Sequence, residues 1–100
     1  MHLTNMTPTD VTEAVDAGAV LIDVREPNEF ASERIAGAHN FPLSQFDPAA
    51  LPGGTLVLYC AGGVRSVRAA EACDTMGVAV AGHLAGGIRA WMMAGLPVER

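Results

Sequence analysis

"TLVLYCAGGVRSVRAAEACDTMG", Thr55 to Gly77, is the stretch whose reading decides the fold. "TLVLYC" is a short, nearly continuous apolar run, consistent with a strand buried on both faces. From Val64 the character changes. Ala69, Ala72, Cys73 and Met76 fall on one face at helical spacing, and Gly77 supplies the stop. Between strand and helix lie Ala61, Gly62 and Gly63, with almost no side chain among them. A buried strand that ends on a cysteine and turns through glycines into a helix is one step of an alternating α/β chain.

The flanking sequence repeats the alternation. "TPTDVTEAVDAG" (residues 7–18) reads as a helix capped by Thr7, with Pro8 in its first turn and Gly18 at its end. "AVLIDV" (19–24) reads as a second buried strand. "PNEFASER" (27–34) is a short helix, "AHNFP" (38–42) a brief strand ended by Pro42, and "LSQFDPAALPGG" (43–54) a Pro-broken connection with room for a helical turn. "VAVAGHL" (78–84) is a weaker strand, interrupted by Gly82. "GGIRAWMMAG" (86–95) gives a last short helix, and "LPVE" an extended tail. The order predicts a central parallel sheet with helices on both faces, built as one domain over residues 1–100. Ligands of such sheets bind at the carboxyl ends of the strands, which is where Cys60 falls.

Composition removes several classes of function. Net charge is −5, and all six cations are arginine. An acidic chain without a basic stripe is a poor nucleic-acid binder. Cys60 and Cys73 are too few for a disulfide framework or a zinc cluster, and His39 and His83 have no partner pattern for a metal. No metal or organic cofactor is expected. No secretion signal is expected from the first residues, which have neither a cationic start nor an apolar core. The apolar region around residues 78–95 is broken by His83, Arg89 and glycines, so no membrane partner is expected. The cytoplasm is the default compartment.

The loop has chemistry of its own. Gly62 and Gly63 can take backbone angles closed to other residues, letting successive N–H groups form an anion-binding nest. The helix behind them adds the partial positive charge of its N-terminus. Arg65 adds a full charge and a planar fork suited to oxyanions. All three favour thiolate over thiol at Cys60. Such a loop offers a nucleophile, Cys60, beside a cradle made by Ala61, Gly62, Gly63, Val64, Arg65 and Ser66. Against this stands the plainer reading, a small buried cysteine followed by a turn; the joint placement of thiol, glycines, arginine and helix start favours function.

With those residues in view, "YCAGGVRS" resembles the active-site loop of rhodanese-domain sulfurtransferases, Cys-x-x-Gly-x-Arg-Ser, matched by Cys60, Gly63, Arg65 and Ser66. "LIDVREPNEFASERIAGAHNFPL" is similar to that family's early signature, and "LAGGIRAWMMAGLPV" to its late one. The resemblance spans nearly the whole chain in order. It implies the rhodanese-like fold and sulfur transfer through a Cys60 persulfide, from thiosulfate or a persulfide donor to cyanide or a thiol, with Cys60 and Arg65 catalytic. Partners implied are a small anionic sulfur donor and a thiophilic acceptor, with a donor or acceptor protein left open. It also makes Asp23 and Arg25 an ion-pair framework near the site. Two departures stand out. Arg34, Ile35 and Ala36 replace the usual His-x-Pro, a change expected to touch only a surface turn. Ala61 and Gly62 are uncharged where many relatives carry a basic or polar side chain.

Cys73 is expected to pack in the core, Trp91 to anchor the last helix, and Ser66 to cap the helix or make contacts in the loop. Arg68 could enlarge the positive rim or be solvated. Two other functions remain open. A cysteine phosphatase or arsenate reductase also pairs Cys with Arg, though usually across five intervening residues rather than the four here. A non-catalytic rhodanese-like interaction module is the third reading, although such modules commonly lose the cysteine that this chain keeps.

Overall fold

The computed structural model describes residues 1–100. Its centre is a pair of strands, β2 and β4. In chain order the elements are β1 (Asn5–Met6), α1 (Pro8–Asp16), β2 (Val20–Asp23), α2 (Pro27–Ser32) and β3 (His39–Asn40). Two 3-10 turns follow, Leu43–Gln45 and Pro48–Ala50. Then come β4 (Leu56–Tyr59), α3 (Val64–Thr75), β5 (Gly82–Leu84) and α4 (Gly87–Met93). The five strands form one sheet in the order β1-β5-β4-β2-β3, and every pairing is parallel.

Register explains why the central strands carry nearly continuous apolar runs. Leu21 lies opposite Val57, and Ile22 opposite Leu58. Alternate residues of a strand face opposite sides of the sheet, and here both sides are covered. Leu21, Val57, Tyr59 and Leu84 pack with Val11 of α1, Ile35, and Ile88 and Trp91 of α4. Ile22, Leu56 and Leu58 pack on the other side with Val24, Cys60, and Ala69 and Ala70 of α3. The parallel, doubly covered sheet is as expected from the sequence.

Local signals set the helix ends. Thr7 Oγ1 accepts from Asp10 N at 3.1 Å, and Thr7 N donates to Asp10 Oδ2 at 3.0 Å. This reciprocal cap fixes the start of α1. In α2, Glu26 N donates to Glu29 Oε1 at 3.0 Å. No side-chain hydrogen bond from the N-cap residue, Gly63, covers the start of α3.

Four details depart from the sequence reading. The edge strand β1 was not anticipated, because two residues carry no periodicity. Gly82 does not interrupt β5 but begins it, and residues 78–81 lie outside the strand. A Cβ there would sit 2.7 Å from Thr4 O and 2.8 Å from Met6 Sδ, so the glycine is what lets β1 approach and pair. Met76 does not share the buried face of α3. It is the helix's C-cap and stands 56% exposed, beyond the last turn that touches the sheet. Ile35 is not part of a surface turn. It is buried at 3% exposure, and its N–H donates to Tyr59 Oη at 3.2 Å.

Candidate functional site

The sheet delivers Cys60 to the carboxyl end of β4, where the chain turns into α3. A helix start leaves N–H groups without intrahelical partners. In α3 the cysteine sulfur takes them. Gly63 N donates to Cys60 Sγ at 3.1 Å and Ser66 N at 3.4 Å; the Ser66 hydroxyl lies 3.5 Å away. The thiol thus stands where an N-cap oxygen normally would, on the positive end of the helix. Cys60 is 1% exposed, and burial pushes its pKa up. The Ser66 hydroxyl and the N–H groups of Ser66, Gly63 and Gly62 push it down and prevail, so the thiol lies below its ordinary value.

Gly63 is required at this position. Its φ is +103°, in the left-handed region, and a Cβ would lie 2.0 Å from the Ala85 carbonyl oxygen. The loop is also tied to α4: Ile88 N donates to Cys60 O at 2.9 Å, and Arg89 N to Ala61 O at 3.2 Å. Gly62 is exposed and outside the positive-φ set, so only the second glycine of the pair uses conformations closed to other residues. Val64, at 70% exposure, opens to solvent as the first residue of α3.

Arg65 is placed differently from the expectation of a free fork beside the thiol. Its Nη1 donates to Glu29 Oε1 at 2.6 Å and its Nη2 to Glu29 Oε2 at 3.0 Å. The fork is occupied by a carboxylate from α2, and the donors to the Cys60 sulfur are the backbone N–H groups of Gly63 and Ser66. Glu29 is held at about 2 by that hydrogen bond and by the N–H of Glu26, against a smaller opposing effect of burial. Glu29 therefore joins α2 to the loop while also capping α2. Sequence reasoning passed over it, although an acid three residues after Glu26 fits the reciprocal-cap spacing.

Asp23 and Arg25 form the framework anticipated for them. Arg25 Nη2 donates to Asp23 Oδ2 at 2.7 Å and to Glu33 O at 2.6 Å. Both side chains are essentially buried, at 2% and 0% exposure. The guanidinium lies over the Tyr59 ring, 5.7 Å from its centroid. Such a pair stabilises only when its remaining groups are satisfied. Here Arg25 N donates to Asp23 Oδ1 at 2.8 Å, and the Asn40 amide donates to the carbonyls of Asp23 and Arg25.

Beside Ala61 opens a cavity of about 330 Å³, with Arg25, Glu29, Glu33, Arg89 and Met92 among its walls. Arg25 and Arg65 are committed to carboxylates. Arg89 makes no ion pair, and its Nη1 lies 3.4 Å from where a Cβ on Gly62 would be. It brings a cation to Ala61 and Gly62, which carry none of their own, a role the sequence did not signal. Cys73 is fully buried with its pKa raised by burial, and Trp91 is 7% exposed and donates to Pro97 O at 2.9 Å.

In sequence His83 has no partner pattern for a metal, and nothing in its spacing marks it for another role. It is 3% exposed. Its Nδ1 lies 2.7 Å from Ser66 Oγ, and its Nε2 lies 2.9 Å from Asn5 Oδ1. Ser66, for which capping or loop contacts were expected, makes the loop contacts; Gly63 is the N-cap.

A family model described as the rhodanese-like domain matches residues 7–94. An uncharacterised protein of Synechocystis, slr1261, is 47% identical over 84 residues, covering 81% of this chain; the chain spans only 47% of that relative's length. The thiosulfate sulfurtransferase GlpE of Haemophilus influenzae is 28% identical over 102 residues, 99% of this chain and 97% of the relative. Among solved structures, a rhodanese-related protein of Thermoplasma volcanium superposes with a TM-score of 0.84 at 31% identity, covering 95% of this chain and 96% of the other.

Proposed function

The chain belongs to the rhodanese-like domain family, and from that premise we propose that it is a sulfurtransferase working through a persulfide on Cys60. One observation carries the proposal: the Cys60 sulfur is the hydrogen-bond acceptor for the start of α3, held by Gly63 N and Ser66 N. That setting favours a thiolate.

In the first half-reaction the Cys60 thiolate attacks the outer sulfur of thiosulfate. A Cys60 S–S bond forms, the sulfur–sulfur bond of the donor breaks, and sulfite leaves with the bonding electron pair. The persulfide holds the negative charge that the thiolate had. Cyanide or a thiolate then attacks the outer persulfide sulfur and regenerates Cys60. This is covalent catalysis in two half-reactions with ping-pong kinetics. Donors aimed at the developing charge are worth most in such a step, and the backbone of Ala61 through Ser66 supplies them.

Arg65 contributes its charge from the first turn of α3 and, through Glu29, fixes the loop against α2. Arg89 is the cation available to the sulfonate end of the donor. A persulfide-bearing donor protein or a thiol-bearing acceptor protein would approach the same mouth, past Val64 and Met92.

The test is turnover with thiosulfate and cyanide beside hydrolysis of an aryl phosphate, in wild type and Cys60→Ser. Thiocyanate formation that disappears in the variant, with negligible phosphate release, is the expected result. Phosphate release in place of thiocyanate would replace this reading with that of a cysteine phosphatase. Neither activity would point to an interaction module.

A further inference from the structure

Cys60 is buried, so its thiol proton needs a route out before the sulfur can act. The atoms around it provide one. Ser66 Oγ lies 3.5 Å from Cys60 Sγ and 2.7 Å from His83 Nδ1, while His83 Nε2 lies 2.9 Å from Asn5 Oδ1. The Asn5 carbonyl oxygen only accepts. It therefore requires the proton of a neutral imidazole to be on Nε2, leaving Nδ1 as an acceptor aimed at Ser66. A hydroxyl has a single proton to give; Gly63 O lies 3.3 Å from Ser66 Oγ, and the shorter 2.7 Å contact with His83 Nδ1 takes it. Cys60 S–H can then donate to the lone pairs of Ser66 Oγ. Every donor in the chain points the same way, from sulfur to amide.

We propose that His83 is the proton acceptor for Cys60: the thiol proton passes to the Ser66 hydroxyl as the hydroxyl proton passes to His83 Nδ1, with Asn5 holding the ring in the accepting tautomer. The proposal rests on Cys60 being the nucleophile of the preceding section and adds the group that primes it. One proton moves and no electron is exchanged. The S–H bond breaks, an Nδ1–H bond forms, and Ser66 ends with a proton as it began. In the product state the arrangement reverses to suit the new charges. Imidazolium Nδ1–H donates to Ser66 Oγ, and Ser66 O–H donates to the thiolate. The hydroxyl thus serves as acceptor for the thiol and donor for the thiolate.

The surroundings suit a transfer between these two groups. Ser66 from α3 and Asn5 from β1 are the hydrogen-bond partners of the ring, and on its own sheet Leu58 of β4 stands beside it. No carboxylate or guanidinium pairs with the ring. Cys60 is the titratable group at the other end of this relay, and burial by itself favours the neutral, accepting ring. His83 and Asn5 make no contact with the cavity beside Ala61. They are positioning residues, acting on sulfur through Ser66.

The two groups must then titrate as a coupled pair, each with an apparent pKa that depends on the other. The experiment follows the imidazole nitrogens of the ¹⁵N-labelled full chain by NMR, from about pH 5 to about pH 9. It compares wild type with Cys60→Ala, and reads thiolate by ultraviolet absorbance in wild type and His83→Gln. Removing the sulfur should lower the His83 midpoint by about one pH unit or more, since the imidazolium loses its thiolate partner. Removing the ring should raise the Cys60 midpoint by about one unit, a tenfold loss of thiolate at a given pH below it. The neutral ring of Cys60→Ala should carry its proton on Nε2. An unchanged His83 midpoint in Cys60→Ala overturns the proposal even if His83→Gln fails to fold, and so does a neutral ring protonated on Nδ1. None of these readouts uses sulfur transfer. Uncoupled titration with intact turnover refutes the relay alone, whereas coupled titration without turnover supports the relay and refutes the sulfurtransferase reading.

Discussion

Gly62 and Gly63 are adjacent and chemically identical, yet alanine at the two positions should have opposite consequences. At Gly63 a Cβ would lie 2.0 Å from Ala85 O, 1.4 Å short of the 3.4 Å where ordinary contact begins. The obstacle is backbone at the end of β5 and cannot rotate aside. The residue would also have to keep a φ of +103°, which costs an L-residue about 1–2 kcal/mol. If the loop instead shifts, Gly63 N leaves the sulfur, and a hydrogen bond to a charged acceptor is worth about 1.5–3 kcal/mol. Whichever route the loop takes, the clash with strained φ or the lost hydrogen bond, the loss is about 2–3 kcal/mol, a large part of the stability of a domain this size. The melting temperature should fall by roughly 8 °C or more. At Gly62 a Cβ meets only Arg89 Nη1, at 3.4 Å, the end of a flexible side chain, and stability should change by no more than about 0.5 kcal/mol. Thermal unfolding measures the stabilities, and the pH profile of iodoacetamide alkylation measures the thiol. Gly63→Ala should move that profile upward while Gly62→Ala leaves it in place. Equal costs for the two variants, or an unshifted profile in a folded Gly63→Ala, would refute the reasoning.

Glu29→Gln tests the link between α2 and the loop. Because Glu29 is lowered from 4.5 to about 2, its contribution is full above 4.5 and disappears as pH falls through about 2. With both side chains about a third exposed, it is worth only about 1 kcal/mol. Urea unfolding should show wild type ahead of Glu29→Gln at neutral pH, with the gap closing across that acid window; a gap independent of pH would contradict the assignment. Arg89→Ala should raise KM for thiosulfate about tenfold, the equivalent of about 1.4 kcal/mol, and leave transfer from a preformed Cys60 persulfide to cyanide nearly unchanged. A KM unaffected by the substitution would remove Arg89 from donor binding. Cys73→Ala should keep full turnover and lose about 1 kcal/mol of stability; arrest after one cycle would show that Cys73 resolves the persulfide.

Sequence periodicity carried the frame of the molecule because the sheet is buried on both faces. The runs at residues 19–22 and 56–60 had to be apolar, and they declare themselves as such. The cap at Thr7 and the stops at Gly18 and Gly77 were local and equally legible. β1 was not, since a two-residue edge strand depends on its partner β5 rather than on its own composition. The placement of the Cys60 loop was readable because the thiol and its helix are contiguous in the chain. What lies across from that loop was hidden. Glu29 meets Arg65 from 36 residues away, and Asn5 meets His83 from 78. Neither pairing has a local pattern. Arg65 was legible as a charge, but its direction was set by Glu29, a contact that only the folded chain creates. Ile35 shows the same limit: it occupies the place of a motif residue yet packs in the core, because Tyr59 draws its N–H inward.

The central claim is that sulfur rides on Cys60, and intact-protein mass spectrometry after brief incubation with thiosulfate measures it directly. The chain should gain the mass of one sulfur atom, peptide mapping should place it on Cys60, and cyanide should remove it with stoichiometric thiocyanate. An unmodified Cys60 in a chain that still makes thiocyanate from thiosulfate and cyanide, or an adduct carried on Cys73, would contradict the account.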